Sequence, residues 1–301
     1  MAIKPYLQLV RLPNVFTAAA DSLAGWLLVM GSFEDPQRWG PLVLTSILVY
    51  AAGIALNDLF DYDLDRAERP FRPLPSGRVS RRFAAGLGVV LLGLGLALAA
   101  VSGSVVSLAI AGLLTTCVVA YDAGLKRTAL GPELMGACRG LNVLLGMSQA
   151  PTLGGPAAWL VAGAMALFVV GVTWISRSET ETGRSGGVMG GMILQEAALI
   201  GLLAAALQAR AFPRAGTDRP IVPLVGLLVL ALVALVVNLA DSRAVLRPEP
   251  ATVQRAVKTG VLALIWLHVG VVAAVRGPVP ALAVAALWVP AFGLGRWLYS
   301  T

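Results

Sequence analysis

Residues 42–65 read LVLTSILVYAAGIALNDLFDYDLD. An apolar run long enough to cross about 30 Å of hydrocarbon ends without a break in Asn57, Asp58, Asp61, Asp63 and Asp65. On a helix Asn57, Asp61 and Asp65 follow one another at i, i+4 and i+8 and share one stripe. Carboxylates stacked at that spacing repel unless something cationic stands between them. Oxygen-only ligands on one face suit a hard cation such as Mg²⁺, which binds through a few carboxylates plus substrate phosphates. The bland alternative is a solvated acidic loop neutralised by Arg66, Arg69 and Arg72.

The rest of the chain repeats the apolar pattern. Its 301 residues are 57% hydrophobic and 13% charged, with a mean hydropathy of +0.80. Soluble domains are nearer a quarter charged, and no core at this length hides so much apolar surface. Runs between Gly, Pro and charge punctuation predict spans near 14–32, 42–59, 84–101, 104–121, 133–150, 155–176, 190–210, 221–240, 256–275 and 279–298. The expected fold class is all-α, a polytopic membrane helical bundle forming a single unit over 1–301, with a short interfacial helix before the first span.

Segments 60–83, 122–132, 177–189 and 241–255 read as long polar loops, and an even span count puts them all on one face with the termini. Of the 23 Lys and Arg, only Arg38, Arg210, Arg214, Arg219 and Arg276 fall on the opposite face, and Arg139 falls inside a span. That bias places the long loops and termini in the cytoplasm. A net charge of +7 does not point to nucleic acid, because the bases lie between apolar spans rather than on one soluble face. Cys117 and Cys138 sit in apolar segments and make neither a disulfide framework nor a metal finger. His268, the single histidine, reads as a packed or hydrogen-bonded residue rather than a ligand. No obligate protein partner is evident.

A basic stretch follows the acidic one, with Arg72 and Arg78 in a loop stiffened by Pro70, Pro73, Pro75 and Gly77. Carboxylates beside arginines make a site for a metal-bridged polyphosphate, since guanidinium forks match phosphate oxygens; the alternative is membrane anchoring, preferred for Arg81 and Arg82. The second loop carries Tyr121, Asp122, Lys126 and Arg127 to the same face, and the third offers Glu179 and Glu181. Inside the fifth span Arg139 and Asn142 share a face. They either line a polar cavity and contact substrate, or Arg139 pairs structurally with Asp122 or Glu133. Asp21, Gln195, Glu196 and Asn238 read as interhelical hydrogen bonds.

Asn57-Asp58-x-x-Asp61-x-x-x-Asp65 resembles the first aspartate-rich motif of the UbiA superfamily of intramembrane prenyltransferases. The VRLPN lead-in at 10–14, the RPFRPLPSGRVS continuation, and Tyr121 with Leu125-Lys126-Arg127 are similar too. GPELMGACRGLNVLLGMS and the closing LGRWLYST resemble the EboC-like branch of bacterial secondary-metabolite operons. The resemblance implies about nine spans around a central cavity capped by cytoplasmic loops, in a bacterial plasma membrane. It implies Mg²⁺ on Asn57, Asp61 and Asp65, bridging a prenyl diphosphate bound by Arg72, Lys126 and Arg127. Asp58, Asp122, Arg139 and Asn142 would line the pocket, and Tyr121 and Arg78 would border the diphosphate. The family's second motif has two aspartates four apart; here Glu179 stands at the first and Gly183 at the second. Glu179 is then the remaining metal ligand and Glu181 a compensating carboxylate.

The expected activity is Mg²⁺-dependent transfer of a prenyl group to a small acceptor of unread identity, in secondary-metabolite or quinone-type biosynthesis. The incomplete second motif keeps open ionisation without an acceptor, giving cyclisation or hydrolysis. A transporter or non-catalytic binder of a polyphosphorylated lipid is the reading from another class. Against the transporter, the polar groups gather at one face and no pair of broken helices meets mid-bilayer.

Overall fold

The computed structural model describes residues 3–178, 185–209, 212 and 223–299. A short helix α1 (Lys4–Leu9) precedes α2 (Leu12–Met30), α3 (Pro36–Phe60) and the one-loop helix α4 (Tyr62–Glu68). Then come α5 (Arg81–Val101), α6 (Val105–Asp122), α7 (Gly131–Met147), α8 (Pro156–Ser176) and α9 (Ser185–Leu207). The chain closes with α10 (Leu224–Leu246), α11 (Pro250–Arg276), α12 (Pro278–Ala286) and α13 (Trp288–Tyr299). No strand occurs among the described residues.

Local chemistry sets the boundaries. Proline at the first helical positions opens α2, α3, α7, α8, α11 and α12, where its missing N–H costs nothing. Ser80 and Ser104 cap α5 and α6 by accepting from the backbone N–H of Phe83 and Ser107. Gly31, with φ 74°, ends α2, a conformation that favours glycine.

Nine stretches among the described residues are long and apolar enough to span a membrane, α12 and α13 counting as one over 278–298. The expected fifth span is α7, a tenth segment of 17 residues that carries Glu133 and Arg139 and packs between α2, α6 and α8. Two expectations need correction. The loop read at 241–255 is almost absent: α10 runs on to Leu246 and α11 starts at Pro250. The helix continues past polar Asp241 because Ala240 and Ala244 still pack on Val253, Ala256 and Ile175. The last span is two short helices meeting at Leu287, just before Pro290, which has no N–H to continue the ladder.

Position in the bundle follows burial. In α2 83% of the most apolar window is buried, against 22% in α5 and 28% in α10. So α2 is the central post, touching α3, α7, α11 and α13. The outer helices show Val89, Leu94, Leu228 and Leu232 to the surroundings, as lipid-facing surfaces do. Where α2 meets α7 the backbones touch. A Cβ on Gly146 would lie 1.9 Å from the Ser22 carbonyl oxygen, and one on Gly25 2.2 Å from that of Val143. Small residues permit such close approach.

Candidate active site

One side of α3 forms the wall of a cavity of about 540 Å³, with Val49, Tyr50, Gly53, Asn57 and Asp61 all lining it. From Val49 to Asp61 the rise is roughly 18 Å. The deep walls are apolar, with Val169, Val172, Val257, Val261 and Leu264, and the mouth is charged.

At the mouth α3 stops at Phe60 and the chain bends at Asp61 (φ −91°, ψ 11°) into α4. The ladder survives the bend, since Asp61 N–H donates to Asn57 O and Asp65 N–H to Asp61 O at 3.0 and 2.8 Å. The Lys126 ammonium sits between the Asn57 Oδ1 (2.9 Å) and Asp61 Oδ2 (2.6 Å). Arg127 Nη2 reaches Asp61 Oδ1 at 3.2 Å. Gly124, with φ 145°, turns the chain into the short 125–127 helix that presents both bases. Arg177 braces that turn by donating to the carbonyls of Lys126 (3.1 Å) and Thr128 (2.5 Å).

The expected single stripe of oxygens is divided in two. Asp65 is 2% exposed and does not line the cavity. It accepts from Arg72 Nη1 at 2.6 Å, with Arg69 3.9 Å away. The same Arg72 nitrogen is 3.5 Å from Asp58 Oδ1, which Arg11 Nη2 approaches at 3.3 Å. Asp58 therefore lies behind the stripe, on the wall of a second cavity. The bend at Asp61 and the pull of Arg72 separate Asp65 from Asn57 and Asp61. Accordingly no group of three His, Cys, Asp or Glu placed to hold a metal ion is assembled among the described residues. The donor set still suits a hard cation. It is oxygen only, and a cationic side chain already stands between two of its members.

Arg78 does not face the mouth with Lys126. It donates to Phe71 O, Ser76 Oγ and Gln8 Oε1, bracing its own loop on the second cavity. That cavity, about 770 Å³, shares Arg11, Asn14, Arg69 and Arg72 with the first. Tyr121 and Asp122 both line the main cavity. Glu179 and Glu181 lie outside the described residues.

Arg139 and Asn142 also line the cavity, but the structural partner of Arg139 is neither Asp122 nor Glu133. Arg139 Nη1 donates to Asp21 Oδ2 at 2.8 Å and Nη2 to Thr17 Oγ1 at 3.0 Å, with its guanidinium 5.1 Å from the centre of the Tyr50 ring. His268 Nε2 hydrogen-bonds the other Asp21 oxygen at 2.8 Å, so the lone histidine is a buried hydrogen-bonded one, as expected. Asn142 Oδ1 accepts from Ser46 Oγ at 2.8 Å. This network closes the deep end of the cavity with fixed charge. Asp21 is the interhelical hydrogen-bonding residue expected of it, and the residues that the sequence reading passed over are Arg11, Asn14 and Arg177. For the first two, their place in the VRLPN lead-in was the available signal.

An acid–base mouth over an apolar chamber inside a helical membrane bundle defines a class of membrane protein whose cavity could accommodate a polyanionic head and an apolar tail. The chain belongs to the UbiA prenyltransferase family, whose model matches residues 19–251. A digeranylgeranylglyceryl phosphate synthase of Metallosphaera sedula is 37% identical over 133 residues, covering 44% of this chain and 46% of the relative. The enzyme of that name from Methanopyrus kandleri is 33% identical over 163 residues, 52% of this chain and 57% of its own. The chain thus spans about half the length of the curated relatives it matches. These relatives are archaeal, and none named here is an EboC-like protein. Among solved structures, a UbiA homologue from Aeropyrum pernix superposes with a TM-score of 0.67 at 20% identity, covering 85% of this chain and 96% of its own. One from Archaeoglobus fulgidus, bound to GPP and Mg²⁺, gives 0.60 at 15% identity, over 85% and 98%. At these identities the likeness establishes the fold.

Proposed function

We propose that this protein transfers a prenyl group, with Mg²⁺, from a prenyl diphosphate to the hydroxyl of a glyceryl phosphate lipid. The observation that carries the reading is Lys126 held between Asn57 and Asp61 at the charged mouth of an apolar cavity. A diphosphate with its metal suits both halves of that arrangement: Asn57 and Asp61 would be oxygen donors for the metal at the mouth, Asp65, behind them on Arg72, would be a further carboxylate, and the sequence supplies Glu179 as another. Lys126, Arg127, Arg72 and Arg69 are N–H donors for the diphosphate, and Tyr121 borders it. The bound metal supplies Lewis-acid neutralisation of the departing diphosphate.

The basic side chains act with it, stabilising charge that grows as the C1–O bond lengthens. The valine-rich walls hold the isoprenoid tail and keep water from the allylic carbon. The second cavity, with Arg11, Arg69, Arg72 and Arg78 on its wall, suits an anionic acceptor head beside the reacting end. This supports a phosphate-bearing acceptor, the kind in the relatives' names, over a neutral aromatic one.

Pyrophosphate release by purified protein in liposomes tests the reading, using geranyl, farnesyl and geranylgeranyl diphosphate with geranylgeranylglyceryl phosphate, in Mg²⁺ or EDTA. Metal-dependent release with formation of the doubly prenylated lipid is expected. Release without that product would favour ionisation without an acceptor, and no release would remove the enzyme reading. We also place the charged mouth in the cytoplasm, from the Lys/Arg bias of the loops. An impermeant maleimide should then label Glu68→Cys, an exposed α4 position, only in inverted vesicles; labelling in intact cells would reverse the orientation.

A further inference from the structure

Asp122 is the last residue of α6, is 4% exposed and is one of the residues lining the main cavity. Its Oδ2 is sealed from solvent and has no hydrogen-bond partner. The neighbouring carboxylates are all matched: Asp61 with Lys126 and Arg127, Asp58 with Arg11 and Arg72, and Asp65 with Arg72 and Arg69. A buried polar group without a partner is costly in an apolar wall, so a position that keeps one invites a role for it.

Depth assigns the role. A Cβ on Gly53 would stand 3.9 Å from Asp122 Oδ2 and 2.6 Å from Val118 Cγ1. The absent side chain leaves room for the carboxylate against α3. Gly53, Asn57 and Asp61 are successive at i, i+4 and i+8, so Asp122 lies one turn, roughly 6 Å, deeper than Asn57. A diphosphate held at the level of Asn57, Asp61 and Lys126 puts the carbon that bears it just below, at the depth of Asp122. The other groups bearing on Asp122 are Arg11 from the turn before α2, Asp58 and Asp61 from α3, and Lys126. Tyr121 precedes it in the chain, and Cys138 faces the cavity from α7.

Resting on the transferase reading, we propose that Asp122 is the base that takes the proton lost by the acceptor. As the C1–O bond to diphosphate breaks, its electron pair leaves with the diphosphate. A lone pair of the acceptor oxygen forms the new C1–O bond, the acceptor O–H bond breaks, and the proton passes to the Asp122 carboxylate. The carboxyl group returns the proton to water after pyrophosphate departs. Asp61, tied to Lys126 and Arg127, is less free for this work.

The test compares wild type, Asp122→Asn and Asp122→Glu in liposomes, with geranylgeranyl diphosphate as donor and geranylgeranylglyceryl phosphate as acceptor. The expected result is a transfer rate lowered about 100-fold or more in Asp122→Asn, with partial recovery in Asp122→Glu. The wild-type rate should fall as pH is lowered and the base is protonated, and Asp122→Asn should lack that fall. Affinity for a non-hydrolysable prenyl diphosphate analogue with Mg²⁺ should stay within about twofold, showing an intact fold. A variant that transfers within threefold of wild type with the same pH profile overturns the proposal and leaves the transferase standing. Parallel loss of analogue affinity and transfer would make Asp122 a structural residue, overturning the base as well. A wild type that forms no product overturns the substrate reading on which the proposal rests.

Discussion

Lys126 stands 2.9 Å from an amide oxygen of Asn57 and 2.6 Å from a carboxylate oxygen of Asp61, a place that a divalent ion would contest. Replacing it has opposite effects on the two halves of the ligand. Lys126→Met should bind Mn²⁺ about tenfold more tightly in the absence of diphosphate, because the competing ammonium is gone. It should bind a diphosphate analogue about tenfold more weakly, the loss of one charge-assisted contact. Mn²⁺ titration followed by electron paramagnetic resonance reads the first, and unchanged Mn²⁺ affinity would show that Lys126 does not compete. At this scale the sequence was informative where the geometry is local. Asn57 and Asp61 are one helical turn apart, and both were read from spacing alone. Asp21 is legible as an interhelical hydrogen-bonding residue but its partners are not, because Arg139 and His268 lie 118 and 247 residues away. Nearness along the chain suggests Asp122 or Glu133 for Arg139, and only the packing of α2 against α7 and α11 shows otherwise. Asp65 illustrates a third case, since its direction is set by a bend and by Arg72, neither of which helical periodicity contains.

Between elements, the contact of α2 with α7 decides whether the deep end of the cavity keeps its shape. Gly146 meets the Ser22 carbonyl, next to Asp21, and Arg139 is on the same helix as Gly146. Gly146→Ala must push the helices apart at the point where that ion pair is made. A loss of about 1–3 kcal/mol is expected for such overpacking, read by thermal unfolding in detergent. Gly163→Ala, on α8 with nothing within 4 Å of the new Cβ, should be neutral or slightly stabilising. Equal behaviour of the two variants would remove the close-approach argument. Helix existence was legible throughout because spans of this hydropathy announce themselves. The ends were less so: Asp241 looked like the start of a loop, although the apolar face of α10 runs past it to Leu246.

For the whole molecule, the deeply buried α2 and the lipid-facing α5 and α10 follow from which spans carry polar residues and which are uniformly apolar. The architecture was therefore readable, while the division of charge at its mouth was not. That division has a consequence for assembly. Acidic and basic side chains compensate each other across the mouth before any substrate arrives, through Lys126 with Asp61 and Arg72 with Asp65. The bundle should therefore fold without an inorganic ion, unlike small domains that are unfolded without their metal. EDTA should leave the unfolding temperature of the ligand-free protein unchanged; a fall on chelation would show that a metal holds the resting fold together. A cell short of the ion would then accumulate folded, idle protein that resumes work when the ion returns, without new synthesis.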